Sequence, residues 1–490
     1  MIDLTINKPT LDSNIQKAKE KGIILPTFSQ MRDPSTVPSA IKDRLKKTGL
    51  WDLDPVNLFR ITWKNEAKDS GGLFGGPNFI ELPSRLTGVA AKIVCLVGKY
   101  FPTGCHKVGA SYGCLAPRLV TGQFDVLTQK AVWPSTGNYC RGGAFNSKLL
   151  AVDSVAILPQ GMSRERFDWL KTVATEVIAT PGTESNVKEI FDKVHELRAT
   201  RKEALIFNQF EELGNYMWHY NVTGPAIVEV FENMAKKNEG LNLAGGCFTS
   251  GSAGTLASGD FFKQKYPRSR LAVGEALQCP TILNNGFGDH RIEGIGDKHI
   301  PWVHNVKNTD MAIAVDDNNC MALLRLFNES AGKDYLVSDL KIDRKQVDLL
   351  AYMGISGIAN MLCCIKFAKY YELGETDVVF TVLTDSVDMY HSRLEELREQ
   401  EGQYTKEKAA GDFGNSLLGE TIDNMLELGY QERKRVHNLK YYTWVEQQGK
   451  TSEELNDLWD NQEKNFLAVQ KQVDAVDALI NDFNKRTGLL

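Results

Sequence analysis

The sequence predicts an α/β fold with two three-layer α/β/α domains, each built on a mostly parallel sheet. Short apolar segments alternate with helix-like segments of about 10–15 residues, which is the pattern of βαβ units. This series occurs twice along the chain, and right-handed crossovers are expected in both. The chain has 490 residues, of which 42% are hydrophobic, and this length is too great for a single core.

The first series of alternating segments begins with the apolar run Ala91–Val97. It predicts further strands at Ala131–Trp133, Ser154–Leu158, Glu176–Ala179 and Ala204–Phe207, and helices at Tyr139–Leu150, Ser163–Val173 and Ser185–Arg198. Ser163 is predicted to be the N-cap of its helix, because a serine hydroxyl accepts a hydrogen bond from the first turn.

The second series lies in the second half of the chain. It predicts strands at Cys247–Ser250, Leu271–Glu275, Met311–Val315 and Asp377–Leu383, a helix that ends near Lys265, and a helix at Met361–Tyr371. The small-residue loop Gly251–Gly254 joins the first of these strands to its helix.

Both ends of the chain lie outside these two series. Short amphipathic helices are predicted around Ser13–Gly22 and Pro38–Thr48, as parts of a structural arm. Near the other end, Thr451–Glu454 has the composition of a capping box. Apolar residues then recur at alternating spacings of three and four: Phe466, Val469, Val473, Val476, Ile480 and Phe483. One face of a long helix is therefore apolar, and it packs either on its own subunit or on a partner subunit.

These patterns divide the chain into four predicted parts. They are an N-terminal extension at 1–72, a catalytic body with a small domain at 73–230, a large domain at 231–400, and a helical C-terminal extension at 401–490.

The charge pattern argues against several classes of protein. The net charge is −5 with 24% charged residues, so no basic surplus points to nucleic acid or to an anionic membrane. No apolar stretch approaches the roughly 18 residues of a membrane span. Met1–Thr5 lacks the basic and apolar run of a signal peptide, so the expected location is the cytoplasm.

The cysteines and histidines do not form a metal-binding pattern. None of the nine cysteines belongs to a C-x-x-C pair, and the eight histidines are scattered. We therefore expect reduced, buried thiols and no metal.

The first of four segments that carry chemistry is Pro102–Lys107. A lysine held between a tight turn and a helix can face a cleft, and partial desolvation makes its amine a nucleophile able to form a Schiff base. Taken alone, Lys107 is more readily interpreted as an ordinary surface lysine.

Two further segments lie at strand-to-helix turns, where backbone N–H groups and the helix dipole attract anions. The first, Pro134–Asn138, suits a substrate carboxylate because Ser135 and Thr136 add hydroxyl donors. The second, Gly251–Thr255, suits a single phosphate group because small residues let the backbone approach it. It matches neither a P-loop nor a dinucleotide fingerprint.

The fourth segment is Gly354–Gly357, which precedes an apolar helix. The hydroxyl of Ser356 can hydrogen-bond a ring nitrogen without protonating it. Each segment taken alone also has a structural interpretation as a turn or an N-cap, so the functional hypothesis depends on all four in this order.

Together these segments resemble the cysteine synthase, cystathionine β-synthase and tryptophan synthase β family of pyridoxal 5'-phosphate (PLP) enzymes, often called fold-type II. The resemblance covers about residues 75–395. Further segments that match in the same order are Leu158–Lys171, Asn208–Phe210, His219–Pro225, His290–Pro301 and Thr384–Val387.

The resemblance implies a role for each matched residue. Lys107 is implied to be the Schiff-base lysine, which also moves the Cα proton. The implied cofactor-binding residues are Lys107, Asn138, Gly251, Ser252, Ala253, Gly254, Thr255 and Ser356. The implied substrate-binding residues are Ser135, Thr136, Gly137 and Gln209. The implied partners are a small amino-acid substrate and a second copy of the chain, as a homodimer.

The implied reaction is β-replacement or β-elimination on a serine- or cysteine-type amino acid through an aminoacrylate intermediate. The alternatives are an ammonia-lyase or dehydratase on serine, threonine or diaminopropionate, and a non-catalytic regulatory relative. Departures from the family pattern at Cys105, Val108 and Tyr139 leave the substrate open. The stretch Tyr139–Gly142 resembles a stretch of diaminopropionate ammonia-lyases.

Overall fold

The computed structural model describes residues 1–66, 72–296 and 298–489 and places eleven strands of these residues in two sheets. The strands are β1 Phe79–Leu82, β2 Lys92–Val97, β3 Lys130–Pro134, β4 Ser154–Pro159, β5 Glu176–Thr180, β6 Ala204–Ile206, β7 Asn242–Thr249, β8 Arg270–Ala276, β9 Met311–Val315, β10 Asp377–Leu383 and β11 Met425–Glu427. Every strand that the sequence predicts is present within a few residues of its predicted limits.

The helices surround both sheets. They are α1 Lys8–Lys21, α2 Phe28–Arg32, α3 Ser39–Leu45, α4 Ser84–Thr87, α5 Lys107–Thr121, α6 Asn138–Leu149, α7 Arg164–Val173, α8 Val187–Thr200, α9 Leu213–Trp218, α10 Gly224–Ala235, α11 Ala257–Lys265, α12 Thr281–Asn284, α13 Asp317–Asn328, α14 Ser330–Ser338, α15 Arg344–Leu349, α16 Ile355–Tyr370, α17 His391–Glu401, α18 Lys406–Phe413, α19 Tyr430–Asn438, α20 Ser452–Asp460, α21 Ala468–Lys471 and α22 Val473–Thr487.

The larger sheet has the order β1-β2-β10-β7-β8-β9-β11. Its five central strands are parallel, and the two edge strands pair antiparallel with their neighbours. The sequence does not predict β1 and β11, because both are short and partly exposed and so have no continuous apolar run.

The smaller sheet has the order β5-β4-β3-β6 and is parallel throughout. The predicted α/β fold with mostly parallel sheets is therefore confirmed. The limits of the four predicted parts of the chain stay a prediction.

Three strands of this fold lead directly into the candidate site. Ser135 follows β3, Ser250 follows β7, and Thr384 follows β10. In open parallel sheets, ligands bind beyond the carboxyl ends of the strands. The topology alone therefore gathers segments from distant parts of the sequence at one place.

The two terminal extensions pack on each other. The carboxylate of Asp477, on α22, accepts hydrogen bonds from the backbone N–H groups of Phe28 and Ser29. The amide of Asn484 exchanges two hydrogen bonds with the backbone of Leu25. The apolar face predicted for the C-terminal helix is buried in the same subunit, which supports the first of its two interpretations.

Two details of the predicted helices differ in the structure. The C-terminal helical region is not one regular α-helix, because α20 ends at Asp460 and a π-helical turn at Glu463–Leu467 precedes α21 and α22. Ser163 stands at the predicted N-cap position of α7, but its hydroxyl accepts a hydrogen bond from the Arg166 side chain and not from the first turn of the helix. The capping box at Thr451–Glu454 is confirmed.

Among the described residues, no single helix is long and apolar enough to cross a membrane. The segments Arg344–Tyr352 and Ile355–Tyr370 pass such a test only together, and they are bent by 115° at their junction. The second of them, α16, is buried against the larger sheet.

Candidate active site

Lys107 is the first residue of α5 and follows a tight turn after β2. In this turn, Thr103 and Gly104 both have left-handed backbone angles, with φ of 69° and 67°. A threonine in this region is strained, and such strain is concentrated at functional sites. The Lys107 amine donates a hydrogen bond to Gln209 Oε1 at 3.3 Å. Burial raises the pKa of the neighbouring Cys105 to about 12, so Cys105 remains a thiol.

Neutral aromatic side chains pack next to Lys107. The ring of buried His106 lies 5.4 Å from that of Trp63 and 5.1 Å from that of His219. Burial, assisted by the charge of Lys107, lowers the pKa of His106 to about 3, and burial together with His106 lowers the pKa of His219. Both imidazoles are therefore neutral at physiological pH.

Residues 135–137 form the turn between β3 and α6. Gly137 has a φ of 147°, and a Cβ there would stand 2.5 Å from Cδ of Arg166, so glycine is required. The Gly137 N–H donates to Ser135 Oγ at 3.0 Å, and Ser135 and Thr136 are both buried. The predicted anion-binding loop thus stands at the N-terminus of a 12-residue helix.

A buried charge network holds Asn138. Its Nδ2 donates to Asp385 Oδ2 at 2.6 Å, and the same oxygen accepts from the Tyr390 hydroxyl at 2.8 Å. Arg166 lies 3.5 Å from this carboxylate and forms an ion pair with Glu293. Burial raises the pKa of Asp385, while Arg166 opposes this shift by favouring the ionised form. All five side chains are buried, so the network fixes the direction in which the Asn138 amide faces.

The loop 251–255 joins β7 to α11 through a short 3-10 turn. Ala253 has a φ of 61° and is therefore strained, like Thr103. Both residues lie in segments that the sequence predicts to be functional. A Cβ on Gly254 would overlap the side-chain amide of Asn215, so the backbone lies directly against that amide. The loop therefore has the tight, small-residue form that phosphate binding needs.

Asn215, on α9, connects this loop to the lysine. Its Nδ2 donates to Ser252 Oγ at 3.1 Å and to the carbonyl oxygen of Gln209 at 3.0 Å. Gln209 in turn accepts from Lys107. The predicted lysine, carboxylate-binding glutamine and phosphate loop are thus linked by one chain of hydrogen bonds.

Ser356 lies in the first turn of α16, close to the Asn138 network. The N–H of Gly354 donates to the carbonyl oxygen of Asp385 at 3.1 Å, which joins the two segments. Ser356 Oγ and Asn138 Oδ1 are buried polar atoms without a hydrogen-bond partner among the described residues. An unpartnered buried polar group costs about 1–3 kcal/mol, so these atoms mark places where a ligand is needed.

The sequence gives no role to several side chains that the structure places in this site. Asp385, Arg166 and Glu293 lie in segments that resemble the family, and only their burial together shows that they form a network. A signal for Asp385 exists, because an acidic residue follows directly on the apolar strand β10. No local pattern marks Asn215.

Comparisons with known proteins agree with this fold. No protein-family model matches the chain. A cysteine synthase of Staphylococcus aureus is 31% identical over 264 residues, which are 53% of this chain and 75% of that protein. A cystathionine beta-synthase of Saccharomyces cerevisiae is 23% identical over 392 residues, which are 78% of this chain and 73% of that protein. The crystal structure of a cysteine synthase from Entamoeba histolytica has the same fold, with a TM-score of 0.56 and 18% sequence identity. The match covers 69% of this chain and 93% of that protein's chain.

Fold and site together define a PLP-dependent enzyme of fold-type II. The chain belongs to the cysteine synthase family, because it is 31% identical to a member over 75% of that member's length. It is accordingly a PLP-dependent lyase or β-substituting transferase, and its class of reaction is β-replacement or β-elimination.

Proposed function

We propose that this chain holds PLP covalently through Lys107 and uses it for β-replacement or β-elimination on a serine- or cysteine-type amino acid. The proposal depends on one observation, the convergence of four groups in the described structure. They are the Lys107 amine, the second amide hydrogen of Asn138, the unpartnered hydroxyl of Ser356, and the turn at 251–255. These groups fit the four polar parts of PLP: aldehyde, phenolic oxygen, ring nitrogen and phosphate.

Each of these groups would hold one part of the cofactor. The backbone N–H groups of 251–255 would bind the phosphate. The neutral hydroxyl of Ser356 would hydrogen-bond the ring nitrogen. Asn138 would donate its second amide hydrogen to the phenolic oxygen, because Asp385 accepts the first. When bound, PLP supplies an electron sink for the carbon that loses its proton.

The turn between β3 and α6 would bind the α-carboxylate of the substrate. Ser135 and Thr136 offer hydroxyl groups, and Gly137 begins the row of N–H groups at the helix N-terminus. Gln209 uses its oxygen for Lys107, so its amide hydrogens remain for the carboxylate. Because Gln209 touches the lysine, a carboxylate held there lies beside the Lys107 amine.

Lys107 would serve as the acid and base of the reaction. Elimination breaks the Cα–H bond and the bond from Cβ to its substituent, and one amine can take the proton from Cα and pass a proton to the leaving group. The neutral imidazoles of His106 and His219 leave this amine without an imidazolium neighbour.

Reconstitution with PLP tests this proposal. We expect the protein to gain a visible absorption band on incubation with PLP, and we expect Lys107→Ala to lack it, because it removes the amine that is hydrogen-bonded to Gln209. Lys148→Ala is the matched control, since Lys148 is exposed on α6. Borohydride reduction followed by peptide mapping should locate the cofactor on Lys107. A wild-type protein that stays colourless, or a label on another lysine, would contradict the proposal.

Product analysis separates replacement from elimination. Pyruvate and ammonia formed from one amino acid alone indicate elimination, whereas a new amino acid that appears only when a thiol or sulfide is added indicates replacement. The same measurement distinguishes the alternative of an ammonia-lyase or dehydratase acting on serine, threonine or diaminopropionate.

We further propose a cytoplasmic homodimer. The nine cysteines are buried and form no disulfide in the structure, which supports a reducing compartment. Analytical ultracentrifugation of the PLP-bound protein tests the dimer, and a sedimenting species near the 54.7 kDa of one chain would contradict it.

A further inference from the structure

Arg141, in α6, differs from the other buried arginines of the described chain. Its side chain is 1% exposed, and it stands one helical turn after Asn138. Among other buried arginines, Arg325 forms ion pairs with Glu329 and Glu401. Arg141 forms no ion pair with a described residue.

Two more buried arginines, like Arg325, have strong hydrogen-bond acceptors. Arg166 pairs with Glu293, and Arg60 donates to three backbone carbonyls. Each of these guanidinium groups therefore has the strong acceptors that a buried charge needs.

The surroundings of Arg141 are apolar or weakly polar. One terminal nitrogen donates to the sulfur of Met389 at 3.1 Å, and Nε has no partner in the described structure. The guanidinium lies 4.7 Å from the ring centre of Trp169 and 5.8 Å from that of Trp51. Cation–π contacts offset only part of the cost of removing a guanidinium from water, so a positive charge without an oxyanion remains.

Neighbouring groups do not neutralise this charge. Burial and the nearby Arg166 lower the pKa of Arg141 to about 10, so the group stays protonated at neutral pH. Asp385 is close enough to interact electrostatically with Arg141, but no hydrogen bond or ion pair joins the two described side chains. Its Oδ2 accepts from Asn138 and Tyr390, and its Oδ1 has no hydrogen-bond partner among the described residues.

The location of Arg141 connects it with the reaction. Residues three apart on a helix share a face, so Arg141 lies on the same side of α6 as Asn138. Arg141 is also close to the thiol of Cys105, two residues before Lys107, because its charge opposes the rise in pKa that burial causes there. Trp51 comes from the N-terminal extension and packs against Gly104 of the lysine turn. The arm, which lies outside the family resemblance, thus encloses this corner of the site.

We propose that Arg141, enclosed by Trp51, Trp169 and Met389, is a subsite for a second oxyanion, in addition to the substrate's α-carboxylate. This proposal rests on the proposed function, since the turn at 135–137 is already used for the α-carboxylate. The oxyanion belongs to one of two sources: an anionic substituent on Cβ, or an anionic nucleophile.

In the first case, the Cα proton passes to the Lys107 amine and its bonding electrons form a double bond between Cα and Cβ. The bond between Cβ and oxygen breaks, its electron pair leaves with the phosphate or similar group, and Lys107 passes the proton to that leaving group. In the second case, an electron pair of the incoming anion forms the new bond to Cβ, the double bond between Cα and Cβ opens toward Cα, and Lys107 returns the proton to Cα. In either case Arg141 stabilises the anion through charge-assisted hydrogen bonds.

Steady-state kinetics of the PLP-bound protein test the proposal. Serine, O-acetylserine and O-phosphoserine are compared as first substrates, and sulfide, sulfite and thiosulfate as nucleophiles. We expect the wild type to prefer a member that carries an additional oxyanion, which is O-phosphoserine in the first series and sulfite or thiosulfate in the second. Arg141→Met should lower kcat/KM for that member about 100-fold relative to the members of its series without that oxyanion. Arg164→Met, in an exposed ion pair, should leave the ratio unchanged.

A second readout does not need turnover. Inorganic phosphate or sulfite should change the absorption spectrum of the bound cofactor in the wild type, compete with the substrate, and have no such effect on Arg141→Met. Arg141→Lys, which keeps the charge but not the planar fork, should retain part of the effect.

The outcomes separate this proposal from the proposed function. A wild type with the cofactor band and turnover, but without any preference for an anionic substrate or nucleophile and without a response to phosphate or sulfite, overturns the subsite alone. An unchanged substrate ratio in a folded Arg141→Met also overturns it. If Arg141→Met does not fold, the wild-type series and Arg141→Lys still decide. A colourless wild type would instead contradict the proposed function.

Discussion

The two sides of the candidate active site differ in the charge of their side chains. The side that carries Asn138 contains buried charges, with Asp385, Arg166 and Glu293 arranged around the amide. The side that carries the loop 251–255 contains neutral groups: backbone amides, small side chains and the amide of one asparagine.

This difference follows from what each side has to hold. A phosphate needs close approach of the backbone, which small residues in tight turns provide without buried charge. An amide that must face one way needs a partner that can only accept, and a carboxylate such as Asp385 meets this need. A buried carboxylate is costly unless it is paired, and this explains why Arg166 is next to it.

Removal of a charge from the Asn138 side should have the largest effect on stability. Arg166→Met leaves the buried Asp385 without its ion-pair partner and leaves Glu293 paired with Arg393 alone, and we expect a loss of about 3–5 kcal/mol in the free energy of unfolding. Denaturant titration measures it. Arg164→Met is the control, because its exposed pair should contribute at most about 1 kcal/mol. Equal stability of the two variants would show that the buried charge network does not stabilise the side of the site that holds Asn138.

A change on the neutral side should affect cofactor binding more than stability. Gly254→Ala places a methyl group into the Asn215 amide and moves the loop, so we expect PLP affinity to fall by about 1–3 kcal/mol, or roughly 10- to 100-fold. Fluorescence titration with PLP measures this. Gly411→Ala, on an open part of α18, is the control. An unaltered affinity of Gly254→Ala for PLP would show that the loop does not bind the phosphate.

The isosteric change Asp385→Asn sharpens the comparison further. It keeps the shape of the side chain but provides a donor as well as an acceptor, so the Asn138 amide loses its fixed direction. We expect kcat to fall about tenfold, the scale of one hydrogen bond, together with an altered cofactor spectrum. Asp388→Asn, which removes a partly exposed partner of Lys99, should change neither quantity. A normal spectrum in Asp385→Asn would argue against a positioning role.

The smallest expected effect concerns Glu212, which precedes the helix α9 that carries Asn215. Burial raises the pKa of Glu212 to about 7, while Arg118 opposes the shift. A carboxyl with a raised pKa in the folded state contributes stability below its unfolded pKa of about 4.3, and this contribution is lost as the pH rises through 7.

Because of Glu212, the free energy of unfolding of the wild type should therefore fall between pH 5 and pH 8. We expect a decrease of about 1 kcal/mol, a value that allows for the partial exposure of the Glu212 side chain. Glu212→Gln should remove that part of the slope, as measured by urea titrations at both pH values. Glu239→Gln, in an exposed loop, should not alter it. Parallel slopes in wild type and Glu212→Gln would contradict the shift.

Much of this arrangement is predictable from local sequence patterns. Apolar runs predict nine of the eleven strands, because a strand buried on both faces, such as β9, is apolar along its whole length. The order of the four segments around Lys107, Asn138, Gly251 and Ser356 predicts the site, because strand-to-helix turns in a parallel sheet meet at one edge. The two edge strands escape prediction because half of each is exposed.

The sequence by itself determined the α/β class, the segments that form the site and the family to which the chain belongs. Only the tertiary structure decided which charges surround Asn138, because Asp385 lies 247 positions away in sequence and reaches it by the return of β10 to the centre of the sheet. The structure alone also shows that Arg141 lacks an ion-pair partner among the described residues and that its guanidinium stacks on Trp51 of the N-terminal arm. Local sequence patterns show which residues of a segment are buried, because buried side chains recur at a regular spacing. Which buried charges pair with each other depends on distances between segments, and only the folded chain defines these distances.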